Sequence, residues 1–79
     1  MIDISSCNRN ADRIDEVIIN IKTIINNYEE AIYYIKKNDS VDARLAVKNI
    51  ENQIHILENE KTKLAKVSET IRTKAKEIY

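Results

Sequence analysis

The sequence predicts an all-α fold, a single antiparallel two-helix hairpin spanning residues 1–79, and three observations support this prediction. The 79 residues include no glycine and no proline, the two residues that most often interrupt helices. Apolar residues recur at alternating spacings of four and three in each half of the chain, which keeps one side of a helix apolar. A single cluster of turn-forming residues, at 38–40, separates the two halves.

The first predicted helix covers about residues 6–37. Its apolar row is Cys7, Ala11, Ile14, Ile18, Ile21, Ile25, Tyr28, Ile32 and Ile35, and a second line of Val17, Ile24 and Ala31 runs beside it. A seven-residue repeat of this kind is typical of helices that pack lengthwise against other helices. Residues 1–4 are predicted to be an extended lead-in, and Ser5 or Ser6 to cap the helix.

The connection between the helices is predicted at Asn38, Asp39 and Ser40. Lys36 and Lys37 precede it, in the predicted last turn of helix one, where the helix dipole favours cations. Asn38 tolerates the left-handed backbone conformation that often ends a helix. Either Asp39 or Ser40 can cap the next helix. A connection this short returns the second helix antiparallel to the first.

The second predicted helix covers about residues 41–79. Its row is Ala43, Val47, Ile50, Ile54, Leu57, Lys61, Leu64, Ser68, Ile71, Ala75 and Ile78. Lys61 and Ser68 interrupt the apolar pattern, so we expect strong packing through Leu57 and thinner packing beyond it. Asp42 lies in the predicted first turn, where the dipole favours an acidic residue.

The apolar face of helix one is three columns wide, which is more than one neighbouring helix covers. We therefore expect the hairpin to pair with a second hairpin in a four-helix bundle. The predicted partner interface consists of Ile14, Val17, Ile18, Ile21, Ile24, Ile25, Tyr28, Ile32, Ile35, Ile50, Ile54, Leu57, Leu64 and Ile71. Aspartate in place of Ile21 or Ile25 is expected to abolish the pairing.

Charge and composition limit the classes of partner. Thirteen basic and thirteen acidic residues cancel, so no net charge indicates a nucleic acid. No apolar run approaches the roughly 20 residues that span a bilayer, and the start lacks the features of a Sec signal peptide. We expect a cytoplasmic protein without membrane insertion, and any export to use another route. One cysteine cannot form an internal disulfide.

Candidate catalytic and metal sites are weak in this sequence. His55 lies about one helical turn from Glu51 and from Glu58, and we interpret the three as a solvated helix face rather than a metal site. Cys7 can be a reactive thiol or a small buried side chain, and its place at the head of an apolar row favours the second. The sequence predicts no enzyme, no metal and no cofactor.

Two further groups could contact a partner. Tyr33 and Tyr34 lie beside the apolar row near the turn, either as interface anchors or as partly covered surface residues. Residues 61–79 carry six basic and two acidic side chains. We attribute this surplus to solubility and to the helix dipole, because no aromatic surface for stacking bases accompanies it.

Several features of the chain occur together: its size, the Ile-x-Ile-Ser lead-in at residues 2–5, two helices of equal length, and a central turn followed by Asp42-Ala43. In these the whole chain resembles the WXG (Trp-x-Gly) family of small type VII secretion substrates of Gram-positive bacteria. Asn38-Asp39-Ser40 stands where Trp-x-Gly would be. In this the chain is similar to the WXG-like partners of LXG toxins, which often lack the tripeptide. The resemblance implies a hairpin that binds the toxin's helical N-terminal domain and helps target it to the secretion machinery.

The export signal of that family is Tyr-x-x-x-Asp/Glu at the end of helix two. Tyr28, Tyr33 and Tyr34 have no acidic residue at that spacing. Tyr79 stands at the right end of the chain and is a possible start of the signal. The resemblance therefore implies that the signal continues beyond Tyr79 or that a partner supplies it.

The function predicted from the residues and the resemblance is that of a non-catalytic binding protein. It is a WXG-like partner or targeting factor for a type VII secreted effector, and it acts by burying the Ile-rich face of helix one against helices of the effector or of a second copy. The alternative is a self-associating homodimeric coiled coil with a structural or regulatory role, such as a phage or accessory protein.

Overall fold

The computed structural model describes residues 4–77, which form two helices, α1 (Ile4–Ile35) and α2 (Val41–Glu77). The helices run antiparallel and pack against each other along their length, and the described range contains no strand. The molecule is a rod with extents of 60 × 14 × 12 Å. The predicted all-α hairpin is confirmed.

Helix α1 begins earlier than the sequence indicates. Ile4, the first described residue, is already helical, and Ser5 and Ser6 lie inside the helix. The predicted cap at these serines is therefore wrong, as is the extended backbone at Ile4. Once a helix is nucleated, each added residue gains a backbone hydrogen bond, so α1 continues outward past the serines. The rest of the lead-in, residues 1–3, lies outside the described range.

Helix α1 also ends two residues before the predicted position, and the connection takes up residues 36–40. The Lys36 amide still donates to the Ile32 carbonyl at 2.9 Å, four residues back. The Asn38 amide instead donates to the Ile35 carbonyl at 2.9 Å, three residues back. No described residue has a positive φ, so the left-handed conformation predicted at Asn38 is wrong, and this tighter turn closes the helix instead. Lys36 and Lys37 lie just beyond the helix rather than in its last turn.

Helix α2 is capped by Ser40, which decides between the two predicted candidates. The Ser40 hydroxyl oxygen accepts a hydrogen bond from the Ala43 amide at 3.0 Å. The Ser40 carbonyl accepts from the Arg44 amide at 3.1 Å, the first hydrogen bond of the helix. Asp42 lies in the first turn, as predicted. Helix α2 therefore begins at Val41, and a serine side chain satisfies one of its free amides, that of Ala43.

We call the line of contact between α1 and α2 the seam. Its buried apolar residues are Ala11, Ile21, Ile25, Val47 and Ala75. Three of these are large enough to fill a core, and no described large side chain is less than 2% exposed. A core this thin is typical of a helix pair that lacks the neighbours needed to enclose it.

The two interruptions of the second row are accommodated in different ways. Ser68 is buried, at 4% exposure, beside the small residues Ala11 and Ala75. Lys61 extends its ammonium group to the Glu58 carboxylate, with the nitrogen 2.8 Å from the oxygen. Beyond Leu57 the fully buried residues of the seam are therefore small, and Lys61 keeps its charge at the surface.

Within the described residues, neither helix combines the length and the apolarity that crossing a membrane requires.

Candidate partner interface

The seam divides the surface of the hairpin into two sides, which we call flanks. A set of contacts identifies the polar flank. Asp15 follows the seam residue Ile14, and Arg72 follows the seam residue Ile71. An Arg72 nitrogen lies 2.6 Å from an Asp15 oxygen, so the two positions are on the same side of the seam. Residues spaced by seven follow the same line along a packed helix. The polar flank comprises Asp15, Lys22, Glu29, Arg44, Glu51, Glu58 and Arg72, and Ala65 lies on the same line between the last two.

A hydrogen-bonded cluster joins the two helices at the open end of the polar flank. The buried Ser68 hydroxyl donates to the Asp15 carboxylate at 2.8 Å and lies 3.4 Å from the Ala11 carbonyl. Arg72 donates to Asp15 and, at 2.8 Å, to Asp12. The hydrogen bonds from Ser68 and then from Arg72 hold the pKa of Asp15 below its ordinary value. The cluster therefore fixes how the helices align.

The opposite side of the hairpin carries exposed apolar side chains. Val17 precedes the seam residue Ile18 and Val67 precedes Ser68, and these positions face away from the polar flank. Ile24 lies seven residues after Val17 and therefore on the same line of α1. Glu60 lies seven residues before Val67 on one line of α2, and Ile56 lies one helical turn before Glu60. We call Val17, Ile24, Ile56 and Val67 the apolar flank; their side chains are 46%, 42%, 52% and 46% exposed.

A groove of 390 Å³ opens on the apolar flank nearer the turn. Tyr28 and Ile50 line it together with the uncharged amide side chains of Asn49, Asn52 and Gln53. Gln53 lies fourteen residues before Val67 and so belongs to the same side of α2. This flank can therefore receive an apolar or uncharged surface without burying a charge in the groove.

The structure divides the predicted interface residues into three groups. Ile21 and Ile25 are buried in the seam, and Val17 and Ile24 are exposed. Ten are half-buried: Ile14, Ile18, Tyr28, Ile32, Ile35, Ile50, Ile54, Leu57, Leu64 and Ile71. The assignment of this set to a partner interface stays a prediction. Aspartate at Ile21 or Ile25 would disrupt the hairpin itself, so the exposed residues are the better test of pairing.

Sequence reasoning left two features of these flanks unassigned. Ile56 and Val67 lie outside the apolar row, and their shared side becomes evident only when the seam is known. Ser68 breaks the row of α2 in the sequence, although the Asp15 side chain of α1 reaches it and accepts its hydrogen bond. The sequence feature that could have indicated this side is the pair of opposite charges at Asp15 and Arg72, each placed one residue after a position of the apolar row.

The turn end of the rod carries a small aromatic cluster. The rings of Tyr33 and Tyr34 meet edge to face, with centroids 5.4 Å apart. The Lys37 ammonium lies 4.8 Å from one ring centroid and 5.1 Å from the other. Both tyrosines remain exposed in spite of these contacts, and their two predicted roles, interface anchor or partly covered surface residue, stay predictions.

The remaining residues that the sequence analysis singled out are the possible metal ligands, the cysteine and the last tyrosine. His55, Glu51 and Glu58 lie on α2, and no group of three or more His, Cys, Asp or Glu among the described residues could hold a metal ion. Cys7 is a free, half-buried thiol near the start of α1. Tyr79, the possible start of an export signal, lies outside the described residues.

Comparison of the chain with protein-family models, with curated proteins and with solved structures gives no match.

Proposed function

We propose that this protein is a non-catalytic binding protein that packs its two helices lengthwise against helices of another chain, to form a four-helix bundle. The observation that carries this proposal is the apolar flank, four exposed aliphatic side chains on one side of a hairpin whose own core is thin. Covering them removes apolar surface from water, which contributes roughly 25 cal/mol per Å² before the costs of association.

The particular role that we propose is that of a WXG-like partner or targeting factor for a type VII secreted effector of the LXG type. This rests on the resemblance of the sequence to that family. The hairpin of α1 and α2, joined at residues 36–40, has the architecture that the resemblance implies. In this role the protein assembles with the effector in the cytoplasm and either accompanies it through the secretion machinery or delivers it there.

The experiment is co-purification of the tagged protein from the bacterium that encodes it, followed by mass spectrometry. We expect to recover a large protein with a helical N-terminal domain, with or without a second small hairpin protein. The complex should survive moderate salt, because apolar contacts are not screened as ion pairs are. Recovery of the protein alone, at twice its monomer mass, would favour the alternative, a self-associating homodimer.

A pair of matched variants ties any recovered partner to the apolar flank. Ile24→Asp places one charge on the flank, and we expect the partner to be lost, since a buried unpaired carboxylate is costly. Ile19→Asp is the control, because Ile19 is 60% exposed and lies on neither flank. Loss of the partner from the control variant as well would mean that the flank is not the contact.

A further inference from the structure

A pocket lies between the two helices at the turn end of the rod. Its floor is formed by the apolar side chains of Ile35, Ala43 and Val47, and its volume is 140 Å³. Ile35 and Ala43 are only half-buried, so part of the apolar surface of the seam is left open to solvent here. An apolar cavity of about 150 Å³ holds a molecule as large as benzene. The pocket therefore has room for one apolar side chain.

Two cations stand at the rim of this pocket. Lys36 and Arg44 line it, and each follows a floor residue in the chain. Both are exposed, and within residues 4–77 neither side chain forms an ion pair with a carboxylate. An arginine guanidinium is well suited to a carboxylate, because its N–H groups can donate to both oxygens. The rim can therefore hold an anion directly beside the apolar floor.

The other rim residues limit the charge of that anion. Asp39 and Asn38 also line the pocket. Lys36 and Arg44 outweigh Asp39 by one positive charge, which matches a single carboxylate. A run of acidic residues would bring further carboxylates close to Asp39, and like charges repel. The side-chain amide of Asn38 adds an uncharged donor to the rim.

The pocket opens on the polar flank. Arg44 belongs to this flank, and Lys36 lies seven residues after Glu29, which is another member. The Lys36 amide still donates to the Ile32 carbonyl, so Lys36 continues the line of α1. A partner that covers the apolar flank therefore leaves this pocket accessible.

We propose that this pocket binds the carboxyl terminus of another polypeptide, one whose last residue is aliphatic. The side chain of that residue enters the pocket and packs on Ile35 and Val47. Its carboxylate is attached to the same Cα atom, so it lies at the mouth of the pocket, where Lys36 and Arg44 bind it. The inference does not depend on what covers the apolar flank, and it goes beyond the proposed function.

Two features of the pocket favour a chain end over other ligands. Sites that enclose a small molecule commonly have volumes of about 300–1,000 Å³, and this pocket has 140 Å³, enough for one side chain presented by a larger molecule. An internal segment would continue past the pocket along the polar flank and cover charged residues such as Glu51, which is costly. A chain that ends at the pocket avoids this cost.

Peptide binding to the full chain tests the proposal, followed by heteronuclear NMR, which detects weak complexes. The probe is an acetylated hexapeptide of glycine and serine that ends in leucine with a free carboxylate. We expect saturable shifts of the amide signals of Ala43 and Val47. The same peptide with an amidated carboxyl terminus should bind at least about tenfold more weakly, because it lacks the charge. A free-acid peptide that ends in serine should lose as much, because it lacks the aliphatic side chain.

Variants of the protein test the rim. Arg44→Gln should weaken binding of the free-acid leucine peptide by about tenfold. The matched control is Lys48→Gln, which removes the same charge one turn further along α2 at an exposed residue that does not line the pocket. It should change the dissociation constant by less than about threefold. Asp39→Asn removes the one acidic group of the rim and should strengthen binding by about threefold. Circular dichroism of each variant verifies the helices.

Four results would overturn the inference. They are an absence of saturable shifts with the free-acid leucine peptide, equal binding of its amide, equal weakening by Lys48→Gln and Arg44→Gln, and equal binding of an amidated peptide that carries leucine followed by aspartate at an internal position. The last result would assign the pocket to an internal acidic segment instead. The proposed function fails separately, because Ile24→Asp on the apolar flank should leave peptide binding unchanged, and Arg44→Gln should leave the effector bound in the co-purification.

Discussion

At the scale of single residues, the hydrogen bonds of Ser68 explain why polar groups are tolerated within the seam. Its hydroxyl donates to Asp15 at 2.8 Å, and no described buried side-chain nitrogen or oxygen lacks a partner. Arg72 holds the same carboxylate from the outer side. A buried hydroxyl without an acceptor would be costly, so Asp15 allows a small polar residue where an apolar one is expected.

Asp15 also links stability to pH. Its pKa is lower in the folded protein, so its contribution is complete above the ordinary value of 3.8 and is lost as the pH falls through the lower folded pKa. We expect the melting temperature of Asp15→Asn to depend less on pH than that of the natural protein in this acidic range. Glu16→Gln is the control at an exposed neighbour. Melting curves with parallel pH dependence in Asp15→Asn and the natural protein would contradict this explanation.

At the scale of elements, the start of α2 depends on one serine. Ser40→Ala removes the hydroxyl oxygen that accepts from the Ala43 amide, and we expect the free energy of unfolding to fall by about 1 kcal/mol. Urea denaturation followed by circular dichroism measures the change. Asp39→Ala is the matched control at the neighbouring position and should have a smaller effect. If Asp39→Ala proved the more damaging change, Asp39 rather than Ser40 would be the functional cap.

At the scale of the whole molecule, the apolar residues of the hairpin fall into two groups: those buried between α1 and α2, and those exposed to solvent on the apolar flank. Ile25 is 4% exposed in the seam, whereas Ile24, the next residue, is 42% exposed on the apolar flank. The three-column apolar face of α1 is therefore directed partly toward α2 and partly toward solvent. The hairpin uses one part of the face, and the remainder faces solvent in the isolated chain.

This division predicts different effects for two adjacent substitutions. Ile25→Ala should lower the melting temperature at every protein concentration, since truncating a buried isoleucine costs about 2–5 kcal/mol. Ile24→Ala should act mainly through association. If a second copy covers the flank, the melting temperature of the natural protein rises with concentration, and Ile24→Ala flattens that rise. Calorimetry over about a hundredfold range of concentration measures both effects. Equal losses in the two variants at low concentration would contradict the division.

The sequence by itself determined the class of fold and the place of the turn. The absence of glycine and proline, the regular spacing of the rows and the cluster at 38–40 are local properties, so they predict two helices and their return without knowledge of contacts. The exact ends of α1 were not determined, because serine and lysine are tolerated both inside and outside a helix terminus. The choice of Ser40 as the cap also depended on backbone geometry.

Only the tertiary structure decided which part of the wide apolar face the hairpin itself buries. Periodicity places a residue on a helix face but does not say where the neighbouring helix lies, and the contact of Asp15 with Arg72 supplied that direction. The alignment of α1 with α2 likewise depends on the bond from Ser68 to Asp15, two residues 53 apart in sequence. Spacing along one helix determined the rows, whereas the distinction between the seam and the apolar flank arose from contacts between helices.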